Sequence, residues 1–310
     1  MPDMLPGTQN YKQYLRPINT MSIPAAYLGV ILIWSTTPLA IQWSGVGADF
    51  MFPLLVRMLI GLVACLVLMR VLRISMVRSR AALNAYVAAG TGIFGAMLLV
   101  YWGARYVPSG LIAVLFGLIP LFTGLIGMVI NDAERLTPAK LAGIVLGLAG
   151  LVVIFGAGAK IGAQALPGIA AILCAVAIQA ASLVWVKRTG VALPVLALTT
   201  GALTLVVGLL LPLWLVLFGQ VPQWSMRAGL STLYLGIFGS VAGFTLYFYV
   251  TKHLQAGQVA LITLITPVSA LLLGQTLNGE RPGADVWLGT VLILLGLGMH
   301  QWRLLVRMAR

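Results

Sequence analysis

The sequence predicts an all-α membrane protein: ten transmembrane helices arranged as two inverted five-helix repeats. Three observations predict it. First, apolar residues make up 61% of the 310 and charged residues only 8%, with a mean hydropathy of +1.05. Soluble domains run near a quarter charged, and so few charges cannot cover a water-facing surface. Second, the apolar runs are long enough to cross about 30 Å of hydrocarbon, and short charged or Pro/Gly-rich loops separate them. Third, the chain repeats itself. Gly110, Ala113, Pro120, Glu134, Arg135, Gly143 and Gly150 are matched by Gly257, Ala260, Pro267, Glu280, Arg281, Gly289 and Gly296, with one residue missing between proline and glutamate. Arg105 and Lys252 each stand five residues before the opening glycine. A repeat of this length in a membrane chain points to internal structural symmetry.

Residues 1–21 are polar, with Pro2, Pro6, Gly7 and Pro17, and read as a disordered cytoplasmic tail. They lack the basic start and small-residue cleavage site of a signal peptide, and Met21 is a second candidate start. The first repeat, 22–158, holds spans 23–42, 50–71, 82–104, 109–130 and 139–157. Span 1 places Trp34, Pro38 and Gln42 on one face at spacings of four, and span 2 carries Arg57, the only base inside a span. Span 3 aligns Phe94, Tyr101 and Arg105 and ends at the tight break Arg105-Tyr106-Val107-Pro108. Span 4 contains Pro120, and span 5 a small-residue pair, Gly143 and Gly147.

The second repeat, 159–303, holds spans 166–186, 194–218, 228–250, 258–277 and 284–302. Span 6 carries Gln179, Ser182 and Trp185 at spacings of three. Span 8 aligns Tyr234, Phe238 and Thr245 beside the aromatic run Tyr247-Phe248-Tyr249, and also holds the pair Gly239 and Gly243. Span 9 places Thr263 and Thr266 before Pro267, and residues 304–310 form a basic cytoplasmic tail. The runs do not alternate as barrel strands do, and open sheets leave backbone groups unpaired in lipid.

Charge sets the expected orientation. With the N-terminus in the cytoplasm, 14 of the 19 bases fall on the inner side, four on the outer side, and Arg57 lies within span 2. That bias predicts a multi-pass protein of the cell (inner) membrane with both termini inside. Five spans per half is an odd number, so the second half must enter the membrane in the opposite sense. The net charge of +13 is then a topology signal and not a nucleic-acid surface.

At this point the chain resembles a known family. Two five-span halves, each with a proline in its fourth span, a glutamate in the loop that follows and glycines in its fifth span, look like the EamA type of the drug/metabolite transporter superfamily. The loops Asn131-Asp132-Ala133-Glu134-Arg135-Leu136 and Asn278-Gly279-Glu280-Arg281-Pro282 are similar to the family's loop signature, and Trp34-Ser35-Thr36-Thr37-Pro38 to its common Trp-Ser start. Arg57 stands where members often have an arginine. The resemblance covers residues 24–302 and implies export or exchange of small metabolites, amino acids or drug-like solutes, by alternating access. No motif assigns the chain to the aromatic amino acid branch.

The residues agree with a transport role. All six acids lie in the tail, in loops or at span ends, so the buried carboxylate common in proton-driven pumps is missing. That predicts facilitated efflux or exchange. Cys65 and Cys174 sit in different spans and read as packing. No catalytic group, metal site or cofactor is expected; Gly90-Thr91-Gly92-Ile93-Phe94-Gly95 fits G-x-G-x-x-G but lies inside a span, with no strand before it. The alternative is a membrane-embedded enzyme or flippase acting on lipid-linked substrates, which needs an intramembrane acid, base or nucleophile.

Expected partners are a small-molecule substrate and the bilayer, in a monomer or homodimer. Candidate cavity residues are Trp34, Thr37, Pro38, Tyr101, Pro120, Gln179, Ser182, Tyr247, Thr263 and Pro267. Tyr101 also reads as an interfacial anchor, and Ser182 and the threonines as bonded to helix backbone. Arg57 reads either as a gate or interhelical tie, or as a base snorkelling to headgroups. Glu134 and Glu280 are expected to sit favourably at the N-termini of the helices that follow them, on opposite faces of the membrane.

Overall fold

The structure is a computed structural model that describes residues 22–129, 137–161, 165–254 and 256–302. Its elements are α1 (Ile23–Ser44), α2 (Met51–Val71), α3 (Arg80–Gly103), α4 (Ser109–Phe116), α5 (Ile119–Val129), α6 (Pro138–Ile161), α7 (Ala165–Arg188), α8 (Val195–Leu217), α9 (Met226–Tyr234), a π-helical segment (Leu235–Ala242), α10 (Gly243–His253), α11 (Ala256–Asn278) and α12 (Ala284–His300). Among the described residues, nine segments are long and apolar enough to cross a membrane, and α12, at 17 residues, is the shorter tenth.

Two spans are not the unbroken helices that hydropathy predicts. Span 4 breaks at Gly117-Leu118 into α4 and α5. Pro120 has no N–H to offer the carbonyl four residues back, and the chain tightens instead, with Leu118 N–H bonding the Leu115 carbonyl at 3.0 Å. Its repeat partner Pro267 stays inside the continuous α11, where Leu264 stands in place of Gly117. Pro38 and Pro212 also lie inside unbroken helices. Span 8 runs α9, then the π segment, then α10. Within it the Ser240 hydroxyl donates to the Leu235 carbonyl at 3.1 Å, five residues back, in the looser turn.

Helix neighbours close into a ring: α4–α5, α11, α1, the span of α9 to α10, α2, α8, α3, α7, and back to α4–α5. Exchanging the two halves (α1 with α7, α2 with α8, α3 with span 8, span 4 with α11) maps this ring onto itself, as an inverted repeat requires. The fifth spans, α6 and α12, pack on each other beside the ring.

Their seam is built from the repeat's own glycines. A Cβ added at Gly150 would lie 2.6 Å from the Gly289 carbonyl oxygen, one at Gly289 2.8 Å from that of Gly150, and one at Gly296 2.5 Å from that of Gly143. The matched pairs are Gly143 with Gly289 and Gly150 with Gly296. In space each glycine meets the other's partner, so the two helices cross antiparallel about a pseudo-two-fold axis. Such backbone approach in lipid needs the smallest residue.

Candidate functional site

An opening lies at the end of the bundle where α1 finishes. It is a cavity of about 350 Å³ walled by Ile41, Gln42, Val46, Phe50, Tyr101 and Arg105, among others. These residues come from α1, its link to α2, and the end of α3. Because α1 and α3 are not neighbours in the ring, the cavity is the mouth of the ring's interior. Its volume falls within the span typical of small-molecule sites, roughly 300–1,000 Å³. Tyr101 is only 3% exposed, and its hydroxyl has no hydrogen-bond partner. A headgroup anchor would be exposed; Tyr101 instead offers an unused polar atom within the wall.

The mouth is braced across the two halves. Gln42 donates from Nε2 to the Val107 carbonyl at 2.7 Å and to that of Ala104 at 3.3 Å, and its Oε1 accepts from Asn278 Nδ2 at 3.0 Å. Trp43 Nε1 donates to Asn278 Oδ1 at 2.9 Å, and the Arg227 guanidinium lies 4.0 Å above the Trp43 ring. Asp49 accepts the N–H groups of Met51 and Phe52, both at 2.9 Å, and so starts α2.

Glu280 differs from its expected role. It does not serve the helix that follows it. Its carboxylate caps α4 in the other half, accepting from Ser109 N–H at 2.9 Å, the Ser109 hydroxyl at 2.6 Å and Gly110 N–H at 3.2 Å. The positive end of α4 and three donors explain the choice. Gly274 on α11 leaves the room: a Cβ there would lie 2.8 Å from the Glu280 carboxyl carbon. Glu134 lies outside the described residues.

Deeper in the ring, Arg57 is 6% exposed. Its Nε donates to Ser240 Oγ at 3.2 Å, and its Nη1 has no partner. It does not snorkel. It reaches across to the π segment, where small residues bring α2 close: a Cβ at Gly236 would meet Ile60 at 2.6 Å, and one at Gly61 would meet Ser240 at 3.2 Å. Trp34 packs on Tyr247 with ring centroids 4.8 Å apart, and Gly243 leaves room for the Trp34 indole, 3.2 Å from its would-be Cβ. Pro38 is buried on α1, and the Thr37 hydroxyl donates to the Ile33 carbonyl at 2.6 Å.

The remaining candidates do not wall the mouth. Ser182 is buried and donates to the Ala88 carbonyl at 2.8 Å, tying α7 to α3. Gln179 is half-buried on α7, and Thr263 half-buried on α11. The buried Pro267 ring packs at the break in span 4, with its Cγ 3.5 Å from the Cβ position of Gly117, and Pro120 opens α5 just beyond. Ser240 and Asn278 complete contacts that the sequence reading did not assign. A serine beside Gly239 within an apolar span was the available signal for the first, and the paired loop for the second.

The EamA-like transporter family profile matches residues 21–156 and again 166–300. The chain belongs to the EamA-like transporter family. It is a multi-pass membrane transporter, with one family unit in each half. It is 27% identical over 280 residues to an uncharacterized transporter, YoaV, of Bacillus subtilis, covering 88% of this chain and 94% of that one. It is 30% identical over 223 residues to a probable terminal-alkyne amino-acid exporter of Streptantibioticus cattleyicolor, covering 70% and 72%. An uncharacterized inner membrane transporter of Escherichia coli, YedA, is 27% identical over 199 residues, covering 62% and 61%. A crystal structure of 23% sequence identity superposes with a TM-score of 0.64 over 93% of this chain and 99% of that one, so the two share a fold.

Proposed function

We propose that this EamA-like protein exports or exchanges small organic solutes, amino acids or drug-like compounds, by alternating access through the interior of the eight-span ring. The observation that carries this reading is the mouth cavity between α1 and α3, of a size for such solutes and lined by Gln42, Tyr101 and Arg105 among apolar walls. The 14-to-4 distribution of bases supports placing that mouth outside and both termini in the cytoplasm. The amino-acid exporter among its relatives supports the substrate range.

The test is efflux. Cells overproducing the protein are challenged with a panel of toxic amino acid analogues and drugs, and efflux is measured for each protected solute. Protection with accelerated efflux of at least one class is the expected result. If no solute moved and a flipped or modified lipid accumulated instead, the reading would be wrong.

A further inference from the structure

Arg57 is a guanidinium in the middle of a membrane bundle with no countercharge among the described residues. Asp49 is committed to the start of α2, and Glu280 to the start of α4. Ser240 uses its own proton on Leu235, and Thr37 uses its proton on Ile33. Near Arg57 the donors outnumber the charges that would use them: Nη1 is buried and unpartnered. A buried, incompletely paired cation is costly, and an arriving anion would offset that cost.

The position suits an arriving solute. Phe50 lines the mouth, and Arg57 follows it by seven residues, so the two share a face of α2, Arg57 lying about 10 Å deeper. Gly239 of the π segment packs its backbone beside the guanidinium. A Cβ at Gly239 would sit 3.4 Å from Arg57 Nη2 and 3.7 Å from Thr37 Oγ1. The aromatic pair Trp34–Tyr247 follows along α1. A planar guanidinium fork matches a carboxylate in shape and charge.

We propose that Arg57, held by Ser240 and flanked by Thr37 and Gly239, is the carboxylate subsite of the transport pathway, so that the preferred solutes are small organic acids or amino acids with a free carboxyl group. This rests on the transporter reading above and names its substrate chemistry.

Binding and transport are read separately. Purified protein is titrated by thermal shift with benzoate, with neutral benzamide, and with chloride. Benzoate stabilises the wild type, while benzamide and chloride do not. Arg57→Gln weakens apparent benzoate affinity on the order of tenfold or more, the loss of a charge-assisted bond. Arg57→Lys keeps part of it, and Ser240→Ala, which frees Nε, lowers it less. Both milder variants elute with the wild-type size-exclusion profile, which guards against a folding defect in Arg57→Gln. Equal shifts with benzoate and benzamide, equal shifts with benzoate and chloride, or a benzoate shift unchanged in Arg57→Gln, would overturn the proposal. In proteoliposomes, amino acids are compared with their amides. Amides moving as fast as the acids would reject the carboxylate subsite and leave the transporter reading standing. A benzoate response that depends on Arg57, with no solute moving, would reject the transporter reading and leave Arg57 as a carboxylate-binding site outside any transport pathway.

Discussion

Gly296→Leu is expected to remove the folded protein from the membrane extract. A side chain at this position of α12 has nowhere to go: its first carbon would lie 2.5 Å from the Gly143 carbonyl oxygen and 2.7 Å from the Gly147 nitrogen. Both are backbone atoms of α6, so no rotamer change relieves the clash, and the two helices must separate. Overpacking of this kind costs about 3 kcal/mol or more, and stability of the whole fold is itself only on the order of 10 kcal/mol. Gly298→Leu is the control on the same helix, because a Cβ there meets nothing within 4 Å. It is expected to be neutral or slightly stabilising, since leucine forms helix better than glycine. Size-exclusion profiles and thermal unfolding of the two variants check the pair. Equal behaviour of Gly296→Leu and Gly298→Leu would mean that the α6–α12 seam is not as described.

Glu280→Ala is expected to be the most damaging change at any acidic residue described. It strips the acceptor from Ser109 N–H, the Ser109 hydroxyl and Gly110 N–H. Ser109 is 1% exposed, so these donors find no water. Leaving a buried donor unpaired costs about 1–3 kcal/mol, and losing the negative charge at the start of α4 adds about 0.3–1 kcal/mol. A total near 3 kcal/mol is expected, with Glu280→Gln losing less because the amide oxygen still accepts. Because the carboxylate belongs to one half and the capped helix to the other, the loss must couple to Ser109→Ala. A double-mutant cycle is expected to give an interaction energy of about 1 kcal/mol. Strict additivity would show that Glu280 acts on its own following helix after all.

These two cases mark how far the sequence could be read. The glycines of the seam were legible as small residues in matched places, because their spacing survives duplication. Their cross-pairing follows once the halves are known to run in opposite senses. Glu280 was legible as a helix-start carboxylate but was assigned to the wrong helix. Proximity along the chain favoured α12, whereas the donors that need it stand 170 residues away on α4. Pro120 and Pro267 looked equivalent, yet only the first breaks its helix, where Gly117 adds a weak point that Leu264 does not. The π segment was not legible at all, since one extra residue in a turn leaves hydropathy unchanged. Arg57 stood out as the single base in a span, but its unpartnered nitrogen is a property of packing. Tyr101 read equally well as an anchor, and only its burial distinguishes the two roles.

Solute passage through the ring interior is tested most directly by blocking its mouth. In a background with Cys65 and Cys174 replaced, single cysteines are placed at Phe50 and Arg105 in the cavity wall, and at Val216, which is 82% exposed on the outside of α8. A membrane-impermeant methanethiosulfonate reagent is added from outside while efflux of a transported solute is followed. Modification at Phe50→Cys and Arg105→Cys is expected to abolish efflux, with added solute slowing the modification, while Val216→Cys carries on at full rate. Full efflux through fully modified Phe50→Cys and Arg105→Cys proteins would place the pathway somewhere other than through this mouth of the ring interior.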